Sequence, residues 1–348
     1  MWPARRQTRP MTWLDHLHAD PRPWLLDASA PAVRAATLRS LLDRSEDDAE
    51  LREARSAALA ADPIRAILAA QDPAGWWVKP GPGYAPKYTG TVWQLIFLDQ
   101  LGADPAHPQV VRACDYVLEH TVASAGGFGC SGAAREAPPP PSSVLHCLNG
   151  NLLRALIGFG RLDDDRVQAA VEWAARAITG QGVERWYASG TSGPAFACAA
   201  NEGLPCAWGA LKELNALARV PVGRRSPLVQ AAVAAGVDFL FSRDPAVADY
   251  PMGYGNSRPN ASWFRPGFPL GYVSDVLQTL EVLAQLGHAR DERLAAALGW
   301  LESLQDAAGR WPNRHAYNGK TWVDIEAQGQ PSQWVTLRAC TVLRAAYG

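Results

Sequence analysis

Gln71-Asp72-Pro73-Ala74-Gly75-Trp76-Trp77 and Gln305-Asp306-Ala307-Ala308-Gly309-Arg310-Trp311 are two copies of one phrase, Gln-x-x-x-Gly-x-Trp, set far apart in the chain. Each closes a run of helical periodicity. A degraded copy stands at Gln181 to Trp186 (Q-G-V-E-R-W), and Gly126-Gly127-Phe128-Gly129 fills the matching place in a fourth unit. A helix-ending phrase that recurs predicts a repeated helical hairpin.

Working outward from these turns, 3.6-residue periodicity dominates and no alternating strand pattern emerges. Six runs are apolar on most faces: Pro31 to Asp43, Thr89 to Gly102, Leu145 to Gly160, Leu204 to Val220, Phe268 to Gly287 and Ser332 to Tyr347. Their starts recur at intervals of roughly 60 residues. Between them lie runs with one charged face: Asp47 to Ala70, Pro108 to Val122, Asp164 to Thr179, Ser226 to Ser242 and Asp291 to Leu304. A helix apolar all round is buried, and its one-sided partner faces water. The pattern predicts an all-α fold with six inner helices inside an outer layer, to which Met11 to His18 adds a sixth member. Residues 1–30 are read as a segment packing on this body, and 31–348 as one domain.

Gly and Pro gather in the segments that precede inner helices: Lys79 to Pro86, Gly129 to Ser143, Tyr187 to Gly203 and Ala246 to Gly267. The return turns, such as Gly102 to His107, are short. One rim is therefore loop-rich, and side chains for binding and chemistry are expected there.

Composition narrows the classes. The 348 residues are 48% hydrophobic and 19% charged, with a formal net charge of −1. That balance offers no general attraction to nucleic acid or an anionic membrane. No run approaches a membrane span, and the basic start is followed by no apolar stretch of leader length, so a cytoplasmic location is expected. Six cysteines in a reducing compartment are read as metal ligands or catalytic groups before disulfides.

The Gln-x-x-x-Gly-x-Trp turns on alternating inner and outer helices resemble the α/α-toroid of terpenoid cyclases and protein prenyltransferase β subunits, over nearly the whole chain from Pro31. The resemblance implies a single (α/α)6 toroid. In that family the Gln bonds backbone at a helix end and the Trp stacks beside it, which makes Gln71, Trp77, Gln305 and Trp311 structural residues here. The chain departs from the family's chemistry. Squalene-hopene-type cyclases carry an Asp-x-Asp-Asp acid, and none occurs here; Asp163-Asp164-Asp165 reads as an outer-helix cap. The Asp-x-Cys zinc ligands of protein prenyltransferases are absent too.

Candidate chemistry comes from the residues themselves. Cys147 and Cys206 fall in the first turns of consecutive inner helices, and Cys130 and Cys198 in the loops that feed them. Four sulfurs at one rim fit a tetrahedral zinc site, with His146 as a substitute ligand; the other reading is four small buried hydrophobes. Lanthionine-forming cyclases, another α/α-toroid group, hold zinc at comparable positions, and P-C-A-W-G resembles their motif loosely. Tyr88, Trp93, Trp208, Tyr272 and Trp334 mark the same rim, joined by Trp263, Phe264 and Phe268, and their faces suit an apolar or cationic substrate. Asp275, in G-Y-V-S-D-V-L, reads either as a general acid of raised pKa or as a hydrogen-bonded residue near a helix start. Asp324, Glu326 and His315 lie in the last rim loop.

Taken together, the sequence predicts a terpenoid cyclase or prenyltransferase-like enzyme that holds an isoprenoid or similar apolar small molecule in a central cavity beside zinc thiolates. The rival readings are a non-catalytic toroid scaffold with a structural cysteine zinc site, and zinc-dependent thiol chemistry on a peptide.

Overall fold

The computed structural model describes residues 12–131, 138–181 and 192–348, and among these every regular element is helical. Thirteen α-helices are described: α1 (Arg22–Leu25), α2 (Pro31–Leu41), α3 (Ala49–Ala60), α4 (Ile64–Ala69), α5 (Thr91–Gln100), α6 (Pro108–His120), α7 (His146–Gly158), α8 (Asp165–Thr179), α9 (Ala207–Ala218), α10 (Pro227–Leu240), α11 (Val276–Leu283), α12 (Ala295–Glu302) and α13 (Gln333–Tyr347). None is long and apolar enough to cross a membrane. The outer run expected over Asp47 to Ala70 is two helices, interrupted at Pro63, whose ring removes a backbone donor.

Helices α5, α7, α9, α11, α13 and α2 pack in succession, each against the next, while α6, α8, α10 and α12 lie on their outer faces. Side chains α5 buries include Val92, Trp93, Leu95, Ile96, Phe97 and Leu98, as its all-round apolarity requires. Several of the charges on these helices are paired with one another. Asp99 of α5 meets Arg154 of α7 and Arg219, 2.7 Å away at the end of α9. Arg338 of α13 grips Glu281 of α11 through two bonds of 2.8 and 2.6 Å.

The repeated phrase forms the same joint each time. The indole N–H of Trp77 donates to the Ile67 carbonyl at 2.8 Å, and that of Trp311 to Leu301 at 2.8 Å. Their backbone N–H groups donate to the hydroxyls of Thr91 and Thr336, at the start of the next inner helix. In the third joint Phe128 stands for the Trp and Asn149 for the Thr, with an N–H to Oδ1 distance of 3.1 Å. Gln71 donates to the Gln109 carbonyl at 2.9 Å and Gln305 to the His16 carbonyl at 3.0 Å, so each glutamine ties down a neighbouring element. Trp186 lies outside the described residues. At the N-terminus, His16 stacks on Tyr347 with ring centroids 3.6 Å apart.

The fifth inner helix begins eight residues later than its apolar run suggests, at Val276 rather than Phe268. Pro269 and Gly271 break the helix here, and the segment instead passes among the inner helices with its backbone held by their polar side chains. Gln100 of α5 donates to the Leu270 carbonyl (2.8 Å) and accepts from its N–H (2.7 Å). Asn151 of α7 donates to Gly271 (3.2 Å) and Lys212 of α9 to Val273 (3.4 Å). Three inner helices thus supply the partners that an extended buried backbone needs.

Candidate functional site

Tyr272 and Val273 of that segment form part of the wall of a cavity of about 480 Å³, within the range of small-molecule sites. Its other walls come from the starts of α7 and α9 and from the loops ahead of α5, α9 and α11. Tyr84, Tyr88, Trp208, Tyr250 and Trp263 supply aromatic surface, and Lys87 places its ammonium 5.7 Å from the Tyr272 ring.

The structure sorts the aromatic residues marked in the sequence. Tyr88, Trp208 and Tyr272 line the cavity. Trp93 is fully buried one ring behind, with centroids 5.0 Å from both Tyr88 and Tyr272. Trp334 lies elsewhere, stacked on Phe268 at 4.6 Å. Tyr84 and Tyr250 were not singled out from the sequence; both sit in Gly- and Pro-rich rim loops, which was the available signal.

Asp275 is the N-cap of α11. Its carboxylate accepts from the Gln278 N–H (2.7 Å) and the Gly267 N–H (3.3 Å), and Arg338 stands 3.8 Å off. Burial pushes its pKa up, and the Arg338 charge works against that. The residue does not line the cavity. Asp324 accepts from the Gly319 N–H, and Glu326 caps α13 through Ser332 and the backbone of Gln333 and Trp334.

A titratable pair does stand at the wall. His146, in the first turn of α7, lines the cavity with only 2% of its surface exposed. Its Nδ1 lies 3.2 Å from Oε1 of the fully buried Glu213, and its Nε2 lies 3.1 Å from the Gly193 carbonyl. A carbonyl only accepts, so Nε2 carries a proton and the contact at Nδ1 needs a second one. His146 and Glu213 therefore hold one proton between them. Asn149 donates to both oxygens of Glu213 (3.1 and 3.0 Å). Burial raises the Glu213 pKa, and His146 lowers it.

The close approach of α7 and α9 makes this possible. A Cβ on Gly150 would stand 2.2 Å from the Lys212 carbonyl carbon, and one on Gly209 2.9 Å from His146 Cβ. Both glycines follow a cysteine by three positions, in Cys147-Leu148-Asn149-Gly150 and Cys206-Ala207-Trp208-Gly209. The same Cys-x-x-Gly spacing thus stands at the start of both helices.

Cys147, Cys198 and Cys206 line the cavity, and Cys206 interacts side chain to side chain with each of the other two. Cys130 is outside this trio, hydrogen-bonded beside Ser131. Among the described residues no group of three or more His, Cys, Asp or Glu side chains converges to hold a metal ion. Cys114 and Cys340 are buried in the core, and burial pushes both thiols up to about 12.

No protein-family model matches the chain, and no curated protein matches it significantly. Among solved structures it is similar to the type II terpene cyclase MstE from Scytonema. The apo enzyme is 14% identical with a TM-score of 0.32, covering 81% of this chain and 95% of that one. A variant of MstE bound to geranylgeranyl dihydroxybenzoate gives 14% identity, a TM-score of 0.33, and coverage of 81% and 94%. Similarity of this order assigns neither activity nor site residues.

Proposed function

We propose that the chain is a single (α/α)6 toroid, residues 31–348 with the N-terminal segment packed on it, and that it is an enzyme acting on an isoprenoid or similarly apolar chain bound in the cavity. The successive packing of α5, α7, α9, α11, α13 and α2, with outer helices around them, supports the toroid. The observation that carries the functional reading is the conjunction at one cavity: aromatic walls and a buried proton-holding pair. Aromatic faces stabilise developing positive charge in a site from which water is excluded.

The proton role falls to His146 with Glu213 ahead of Asp275, because Asp275 spends its oxygens on backbone N–H groups away from the cavity. The His146 bond to Gly193 is the one a substrate oxygen would replace. An imidazolium is a weaker acid than a carboxylic acid and does not protonate a bare alkene effectively. The chemistry it suits is ring closure begun at an oxygenated group, an epoxide or a carbonyl.

The test is incubation of the purified chain with linear isoprenoids and their terminal epoxides, from sesquiterpene to triterpene length, with products read by gas chromatography and mass spectrometry. Cyclic product that vanishes in His146→Gln and persists in Asp275→Asn supports the reading. The reverse pattern returns the acid role to Asp275. Tight binding without turnover favours the non-catalytic scaffold, and neither binding nor turnover removes the isoprenoid reading.

A further inference from the structure

The three cavity thiols have a geometry of their own. Ala197 opposes Pro205 in an antiparallel bridge, flanked by the Cys198 N–H to Leu204 carbonyl bond (3.1 Å) and the Cys206 N–H to Phe196 carbonyl bond (2.8 Å). Side chains alternate along paired extended segments, so Cys198 and Cys206 leave this ladder on the same face, diagonally across it. Cys206 is also the N-cap of α9, and the glycine-mediated approach of α7 brings Cys147 to its other side. Cys206 is thus the central thiol of three, with Cys198 and Cys147 as its neighbours, and all three border the cavity.

We propose that Cys198 and Cys206 are a thiol–disulfide exchange pair, with Cys147 as the third thiol able to take over the bond to Cys206, and that low-molecular-weight disulfides entering the cavity are the oxidants. One protein thiol, on losing its proton, attacks a small disulfide R–S–S–R; a mixed disulfide forms, and RS⁻ leaves and takes up a proton. The second protein thiol then displaces the remaining RS⁻. The protein loses two electrons and two protons, and the small disulfide becomes two RSH molecules.

Two further observations favour this chemistry. The adjoining thiol first, and burial after it, raises the pKa of Cys198 and takes that of Cys206 up to about 12, so a charged thiolate pair is costly where a neutral disulfide is not. Among the described residues no group of three His, Cys, Asp or Glu side chains is placed to hold a metal ion, whereas a disulfide needs only two sulfurs. The proposal does not rest on the isoprenoid reading.

The test uses the full chain equilibrated in glutathione buffers of graded oxidised-to-reduced ratio, acid-quenched, alkylated under denaturing conditions and mapped by mass spectrometry without reduction. The expected result is one disulfide, Cys198–Cys206, appearing over a narrow range of ratios, while Cys114, Cys130 and Cys340 remain fully alkylated. Cys198→Ser should redirect the bond to Cys147–Cys206, and Cys206→Ser should leave no intramolecular disulfide. Three outcomes overturn the proposal: Cys198 and Cys206 alkylated at every ratio, scrambled pairing that includes Cys130, or stoichiometric zinc that withholds these thiols from alkylation before denaturation. All are read without any turnover assay.

Discussion

The side-chain nitrogen of Lys212 lies 3.4 Å from the carbonyl oxygen of Val273: a fully buried amine on α9 holds the extended segment that walls the cavity. Its other partner is the amide oxygen of Gln278, so neither hydrogen bond goes to a carboxylate. Desolvation accordingly lowers its pKa to about 8, from an ordinary 10.5, against the pull of Cys147 and Asp275.

The sign of the resulting pH dependence follows by linkage. Below pH 8 the amine is charged in both folded and unfolded chain, and the cost of burying that charge is fully present. Between pH 8 and 10.5 the folded protein sheds a proton that the unfolded chain keeps, so stability rises with pH over that window and levels off above it. The gain is of order a few kcal/mol. Urea unfolding at pH 7.5 and 10 is expected to show this rise in the parent and to lose it in Lys212→Met; parallel pH profiles would refute the account.

The glycine of the repeated turn makes a sharper prediction. Gly309 has φ of 70°, and a Cβ there would stand 2.1 Å from the Ala19 carbonyl oxygen. Gly102 has φ of 73° with nothing within 4 Å. Gly102→Ala should cost about 1 kcal/mol, the conformational term alone. Gly309→Ala carries that term and displaces the N-terminal segment as well, and is expected to cost about 3 kcal/mol. Thermal melting of the two variants gives the comparison.

Gln305 reaches the same segment by hydrogen bonds, donating to the His16 carbonyl and accepting from the His18 N–H, both at 3.0 Å. Gln305→Ala should cost about 1–3 kcal/mol. Hydrogen exchange is expected to speed up at His18 and around it, while amides in α7 and α9 keep their protection. Uniform loss of protection would mean that the segment and the body unfold as one.

The helical nature of the fold and the joints of the repeat were legible because periodicity and a recurrent turn are local signals. Trp77 and Trp311 bind their helices as the phrase suggests, and Phe128 does the same in the glycine turn. The Phe268 to Asp275 segment was not legible: its apolar residues fit an inner helix, and only its backbone partners on α5, α7 and α9 show otherwise. The signal lay in those helices, where Gln100, Asn151 and Lys212 are polar residues in buried positions that had to bond something. Of the four cysteines read at one rim, Cys147, Cys198 and Cys206 border the cavity and Cys130 does not. Their order, with Cys206 between Cys147 and Cys198, depends on the 197–205 bridge and on helix spacing, which no single stretch of sequence encodes.

Two tryptophans of the apolar set separate by position, Trp208 half-buried and Trp334 buried. Trp208 lines the cavity, and Trp334 stacks on Phe268 outside it. Removing an aromatic wall forfeits contact with ligand, on the order of 1–3 kcal/mol, or about fivefold to 150-fold in Kd. Trp208→Ala should therefore weaken binding of an apolar probe such as a fluorescent isoprenoid ether by that factor, with a smaller effect on the unfolding midpoint. Trp334→Ala leaves a cavity in the packing of α13 and should cost about 3–5 kcal/mol of stability, with the probe's Kd unchanged wherever the chain stays folded. Fluorescence titration and urea unfolding on both variants test the assignment, and equal loss of affinity in the two would show that the aromatic cavity is not where the ligand sits.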